Sequence, residues 1–410
     1  MGTTTQTNYI PRSIEPILRR AARQFPVVVL TGPRQSGKTT LLKHLFARRC
    51  RYVSLEPPDV RASAAADPRG FLAMYGPPAI FDEIQYAPGL LPYIKEHVDA
   101  HREQAGQYLL TGSQNLLMLE RVSETLAGRA AILRLLPLSY HEITGRPGTS
   151  LPWESGRRQA GRTLAPRDLW ARILRGGYPE LVAHPKRDIA LWHASYVQTY
   201  LERDVRTLRQ VGDLTQFQSL LRVLAARSAQ LLGLTDLSRE LGIAVNTVKA
   251  WLSVLEATFQ IIVLRPYFAN IGKRLVKTPK VYFVDTGTLC YLAGLKTADH
   301  AAAGPMGGAI LETAVVSEIV KGYWNCGAEP RVWFWRTSTG TEVDVVVESE
   351  GWLIPVEAKL SATPTPSMAR GIEAFRKDLG QCAAKGYIIH PGDVRLPLGP
   401  DAMSMPFAEL

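Results

Sequence analysis

Apolar and polar positions alternate along this chain with two different periods, and the places where the period changes divide it into parts. From residue 8 to about residue 143, short apolar runs are separated by stretches with helical spacing. Phe25-Pro26-Val27-Val28-Val29-Leu30, Ala79-Ile80-Phe81 and Tyr108-Leu109-Leu110 are unbroken apolar runs, the pattern of strands buried on both faces. Thr40-Leu41-Leu42-Lys43-His44-Leu45-Phe46 carries an amphipathic helical pattern. Such alternation predicts a parallel α/β sheet. Residues 144–168 are rich in Gly, Pro, Arg and Ser and predict a connection. Helical spacing returns at Leu191-Trp192, Val197 and Leu201, beside the charged triplet Glu202-Arg203-Asp204. Residues 231–296 predict two helices about Gly242 and then two strands, 260–265 and 280–284. The remainder reads as helix 308–323, strands 331–336, 341–347 and 352–360, helix 367–379 and strand 386–390. Four segments are expected: 1–143, 144–230, 231–300 and 301–410.

Composition narrows the field. Of 410 residues, 46% are hydrophobic and 21% charged, as in ordinary globular proteins. A formal net charge of +11 favours a polyanionic partner, DNA before RNA. Cys50, Cys290, Cys326 and Cys382 are too scattered for a metal-ligand spacing and read as reduced thiols. The first residues show no leader pattern, and no apolar run approaches the span of a bilayer. A soluble, cytoplasmic protein without a membrane partner is expected.

The densest chemistry lies between the first strand and the first helix. Gly32-Pro33-Arg34-Gln35-Ser36-Gly37-Lys38-Thr39, followed by Thr40, is a complete P-loop in the strand–loop–helix context that such a loop requires. Its glycines let backbone N–H groups wrap phosphate oxygens, Lys38 suits β/γ-phosphate charge, and the Thr39 hydroxyl suits Mg²⁺. Asp82 and Glu83 end the second apolar strand; Asp82 is placed to hold the metal and Glu83 to polarise the attacking water. Thr111 and Ser113 end the third strand and are candidates for γ-phosphate contact, with Asn115 behind them. Arg129 is the candidate arginine for the γ-phosphate, from its own chain or a neighbour, and Arg121 is its runner-up.

On these residues, and on the segments FPVVVLTGPRQSGKTTLL, AIFDEIQ, YLLTGSQNLL, LAGRAAILRLLPLSYHEI, GGYPELV and YLERDV, most of the chain resembles prokaryotic AAA-type ATPases with a C-terminal domain of unknown function. The resemblance implies an AAA+ core, ATP rather than GTP, and homo-oligomer formation. No Asn-Lys-x-Asp guanine-reading motif and no kinase His-Arg-Asp or Asp-Phe-Gly set is present.

Gly242 separates two amphipathic helices at helix-turn-helix spacing, and the two strands after them resemble a winged helix. Asn246, Thr247 and Lys249 fall on the outer face of the second helix, while Lys273, Arg274 and Lys277 make the inter-strand loop basic. These are candidate DNA contacts, directed mainly at the backbone. A protein–protein or structural role is the competing reading.

In the last segment Glu342 and Asp344 share one strand face, and Glu357 and Lys359 share one on the next. Asp344 and Glu357 together suit Mg²⁺, with Lys359 orienting water or stabilising a pentavalent phosphate. The order helix–three strands–helix–strand resembles restriction-endonuclease-like nucleases, and on that resemblance Glu312, Asp344, Glu357 and Lys359 take the catalytic positions. Three readings of the whole chain stay open. One is an ATP-hydrolysing protein acting at DNA, with a metal-dependent nuclease domain. Another is an ATP-switched DNA- or protein-binding module whose nuclease-like domain is inactive. The third is a signalling ATPase that binds no nucleic acid.

Overall fold

The computed structural model describes residues 9–112, 124–148, 151–155, 165–200, 214–267 and 278–410, without the side chains of Ser155 and Tyr200. Its N-terminal part is a five-stranded parallel sheet in the order β2-β3-β4-β1-β5. The strands are β1 (Val27–Thr31), β2 (Arg51–Ser54), β3 (Ala79–Asp82), β4 (Tyr108–Gly112) and β5 (Ala130–Arg134). Helices α1 (Glu15–Gln24), α2 (Lys38–Phe46), α3 (Pro58–Ala66), α4 (Pro68–Met74) and α5 (Leu91–Ala100) accompany it. The predicted apolar runs are its central strands: β1, β3 and β4 are buried along their whole length. Their burial on both faces is why the sequence shows continuous apolar runs there instead of alternation.

Beyond β5 come α6 (Tyr140–Ile143), the short α7 (Pro152–Ser155), α8 (Pro166–Arg175), α9 (Pro179–Ala183), α10 (Ile189–Tyr200) and α11 (Leu214–Ala226). The expected pair about Gly242 is α12 (Leu234–Leu241) and α13 (Val245–Ala257). Gly242 closes α12 in the left-handed region (φ 65°), and α13 buries Val248, Trp251, Leu252 and Leu255 on one face. Strands β6 (Ile261–Leu264) and β7 (Lys280–Phe283) pair antiparallel.

The chain then forms α14 (Thr286–Leu292), α15 (Ala298–Ala303) and the long α16 (Gly307–Asn325). A second five-stranded sheet follows, ordered β12-β11-β10-β9-β8. It contains β8 (Val332–Arg336), β9 (Glu342–Ser349), β10 (Trp352–Ala358), β11 (Gly386–His390) and β12 (Ala402–Pro406), with α17 (Arg370–Leu379) between β10 and β11. The predicted element order is present, with one further strand, β12, at the edge. Helix α16 also locks onto the N-terminal part. Glu318 accepts from Tyr140 N–H at 2.8 Å, and Lys321 Nζ donates to Leu138 O at 3.2 Å. Among the described residues no helix is long and apolar enough to cross a membrane.

Candidate functional site

The parallel sheet delivers its chemistry where β1, β3 and β4 end side by side. The chain leaves β1 through Gly32 and passes the left-handed Gly37 (φ 93°) into α2. Gly32 has no room for a side chain, since a Cβ there would stand 2.0 Å from Leu135 O. Lys38, the first residue of α2, is buried, and its Nζ donates to Gly32 O at 3.0 Å and Pro33 O at 2.8 Å. The lysine therefore stands inside the loop, along with the backbone groups that suit phosphate oxygens.

Asp82 gathers three hydroxyls. Thr39 Oγ1 reaches its two oxygens at 2.8 and 3.0 Å, Tyr52 OH donates at 2.8 Å, and Thr111 Oγ1 donates in a short bond. The Thr111 hydroxyl also accepts from Glu83 N–H at 3.0 Å, so one buried side chain ties both acidic residues to β4. Glu83 itself lies in the left-handed region (φ 59°), unusual for a non-glycine residue, and its carboxylate accepts from Gln85 Nε2. The Thr39 hydroxyl and the Asp82 carboxylate are hard oxygen donors side by side, which fits Mg²⁺ chemistry.

A cleft of ≈ 650 Å³ opens over the loop, lined by Arg34, Gln35, Gly37, Lys38, Thr39, Thr40 and Glu83. Its volume lies in the range of small-molecule sites. The apolar side comes from residues that sequence reasoning passed over: Tyr9 and Ile10 before α1, Leu138 after β5, and Pro179 and Ala183 on α9. Tyr9 stacks on His44 of α2 with ring centroids 3.6 Å apart. Arg12 is also new. Buried behind the loop, it donates to Ser36 O at 2.8 Å and Leu136 O at 2.7 Å and pairs with Glu142 at 3.1 Å. A lone arginine preceding α1 carries no sequence signal for such a role.

The remaining N-terminal candidates fare unequally. Pro33, Ser36 and Thr111 are buried in or beside the loop. Arg129 lies away from the loop of its own chain. It precedes β5, whose pairing with β1 starts at Val27↔Ala130, so it sits at the end of the sheet opposite the loop. There its guanidinium grips Asp99 (Nε–Oδ1 2.6 Å, Nη2–Oδ2 3.0 Å). Within its own chain it cannot meet a γ-phosphate, because a parallel strand presents its C-terminal end to the ligand. Ser113, Asn115, Arg121 and the triplet Glu202-Arg203-Asp204 fall outside the described residues. So do Lys273, Arg274 and Lys277; on α13, Asn246 and Lys249 are exposed and Thr247 is half-buried.

The four C-terminal candidates do come together. The antiparallel register of β9 and β10, running from Trp352↔Ser349 to Val356↔Val345, sets Glu357 across from Asp344, whose Oδ2 accepts from Ala358 N–H at 2.9 Å. Lys359 pairs with Glu357 at 2.5 Å. Glu312 faces them from α16. Two groups absent from the sequence-based set complete the cluster, both from β7: Lys280 Nζ and Tyr282 OH donate to Glu312 Oε1 at 2.9 and 2.6 Å, and Lys280 also pairs with Glu342. Glu357 Oε1 is buried and makes no hydrogen bond.

Burial pushes the Glu312 carboxyl up to about 8, Asp344 adding to the rise against the pull of Lys280 and Tyr282. Burial likewise lifts Glu357 to about 7 and raises Asp344. For Lys280 burial works against the charge, yet Glu312, Asp344 and Glu342 outweigh it and its ammonium is raised. Of the four carboxylates around the two ammonium groups, Glu312 and Glu357 are thus brought into the range of neutrality. Among the described residues no group of three or more His, Cys, Asp or Glu side chains is disposed to hold a metal ion. As arranged, Asp344 and Glu357 do not fit the Mg²⁺ site expected of them: Lys280 occupies the carboxylate cluster, and Lys359 holds Glu357.

Residues 24–144 match a family model described as an AAA domain. With the P-loop and the strand order of the sheet, this defines an AAA-type P-loop ATPase module. Residues 166–299 and 307–409 match two domains of unknown function, DUF8612 and DUF4143. The chain is 32% identical over 392 residues to each of two uncharacterized proteins, Mb2031c of Mycobacterium bovis and Rv2008c of Mycobacterium tuberculosis, covering 95% of this chain and 82% of theirs. It belongs to the same family as these mycobacterial proteins. Among solved structures, the Walker-type ATPase PABY2304 of Pyrococcus abyssi is 14% identical, with a TM-score of 0.45 over 70% of this chain and 97% of its own.

Proposed function

We propose that the N-terminal cleft binds ATP with Mg²⁺ and hydrolyses it. The observation that carries this reading is the joint placement of Lys38, Thr39, Asp82 and Glu83 around one loop, with Thr111 bonded to both acidic residues. Thr39 and Asp82 would hold Mg²⁺, which would supply charge neutralisation for the phosphates. Lys38 counters phosphoryl charge, Glu83 accepts the proton of the attacking water, and the Tyr9–Ile10 and α9 side of the cleft takes the base. Lys38→Ala should abolish nucleotide binding by calorimetry, and Glu83→Gln should bind ATP without turning it over. Equal turnover by Glu83→Gln and wild type would overturn the role given to Glu83.

For the C-terminal part we propose a nuclease-like domain acting at DNA. The convergence of Glu312, Asp344, Glu357 and Lys359 from α16, β9 and β10 supports it, together with the basic charge of the chain and the outer face of α13. Plasmid and single-stranded DNA incubated with Mg²⁺ or Mn²⁺ test cleavage; cutting that survives Asp344→Ala would refute it. Binding itself should weaken steeply with salt, as phosphate contacts require.

A further inference from the structure

The lysine inside the C-terminal carboxylate cluster does not come from the C-terminal sheet. Lys280 begins β7, which pairs with β6 after the helix pair α12–α13, more than twenty residues before α16. Its side chain is 4% exposed, and its ammonium lies between Glu312 and Glu342, with Asp344 close enough to add to its charge. Tyr282, two residues on and therefore on the same strand face, fastens the same Glu312 oxygen. Lys359, by contrast, belongs to the C-terminal segment and is spent on Glu357. A buried ammonium among several carboxylates occupies the position and charge that a divalent cation would take there, and two cations at that spacing repel strongly.

We propose that Lys280 is a built-in counter-ion that keeps the carboxylate cluster closed to divalent metal, so that metal entry requires Lys280 to withdraw. This rests on the reading of Glu312, Asp344 and Glu357 as a metal-dependent site.

The test is Mn²⁺ binding to the nucleotide-free full chain, followed by the paramagnetic resonance of free Mn²⁺. Lys280→Met and Lys280→Gln should bind Mn²⁺ about tenfold or more tighter than wild type, since a competing charge is gone. Lys280→Arg, which keeps the charge, should stay at the wild-type level. Adding Asp344→Asn to either neutral variant should remove the gain. Should Lys280→Met fail to fold, the comparison of Lys280→Gln with Lys280→Arg decides the question by itself. Equal, Asp344-dependent binding by wild type and the neutral variants would overturn the lock while leaving the metal site standing. Absence of Asp344-dependent binding in every variant would overturn both.

Discussion

Thr111 shows how much a single hydroxyl can organise. It donates to Asp82 and accepts from Glu83 N–H, so the two acidic residues share one buried support. Thr111→Val keeps the shape but leaves the Glu83 N–H without that acceptor and Asp82 without one of its donors, at a cost of about 1–3 kcal/mol. The expected outcome is a turnover reduced about tenfold or more with ATP affinity nearly kept, since about 1.4 kcal/mol in the barrier is tenfold in rate. Steady-state kinetics beside calorimetric affinity check it, and an unchanged turnover would show that Glu83 holds its position without Thr111. The sequence made Thr111 a candidate because it ends an apolar strand, but it could not show where the hydroxyl points. Tyr52 was illegible for a similar reason: its partner Asp82 lies on the neighbouring strand, and only the parallel register Ser54↔Asp82 sets their backbones close.

At the scale of elements, β1, β3 and β4 were legible as unbroken apolar runs and α13 as a helix with one apolar face. Strand β12 was missed because Ala402-Met403-Ser404-Met405-Pro406 is weakly β-forming and ends in proline; it exists by pairing with β11 at the sheet edge. For Arg129 the sequence left open a contact within its own chain, which the pairing of β5 with β1 rules out by setting it at the far end of the sheet. The β9–β10 pair, conversely, could be anticipated from the turn between its strands, and it brings Glu357 to Asp344. That placement has a titration consequence. Glu357 has its folded value raised from 4.5 to about 7, chiefly by burial, so its contribution favours the fold below 4.5 and is lost as pH rises through about 7. Glu357→Gln cannot ionise. Its melting temperature relative to wild type should therefore increase between pH 4.5 and 7 and level off above, by an amount corresponding to roughly 3 kcal/mol. Thermal melts across that range check the sign, and a flat difference would mean that Glu357 ionises at its ordinary pH.

Across the whole molecule, the chain through β7 runs from the C-terminal cluster toward the turn that backs the N-terminal cleft. Its first residue, Lys280, lies among the C-terminal carboxylates, and just beyond its end Asp285 is buried against the turn before α9. Asp285 Oδ2 accepts from Gly177 N–H at 2.7 Å, while Oδ1 accepts from Thr288 N–H at 2.8 Å. Gly177 in turn accepts from Leu138 N–H at 2.7 Å, and Leu138 and Pro179 line the nucleotide cleft. A Cβ on Gly177 would come 2.4 Å from Leu138 O, so this turn tolerates no side chain. None of this connection was visible in the sequence, because Asp285 reaches across more than a hundred positions to the backbone of Gly177. Asp285→Asn is the variant that probes it. An amide has one acceptor oxygen, so its NH₂ must face either Gly177 N–H or Thr288 N–H, donor against donor. That should cost about 1–3 kcal/mol of stability and loosen the turn. Weaker ATP binding by Asp285→Asn in calorimetry is the expected result, although Asp285 does not line the cleft. Unaltered ATP affinity together with a lowered melting temperature would mean that the turn supports the fold without shaping the nucleotide site.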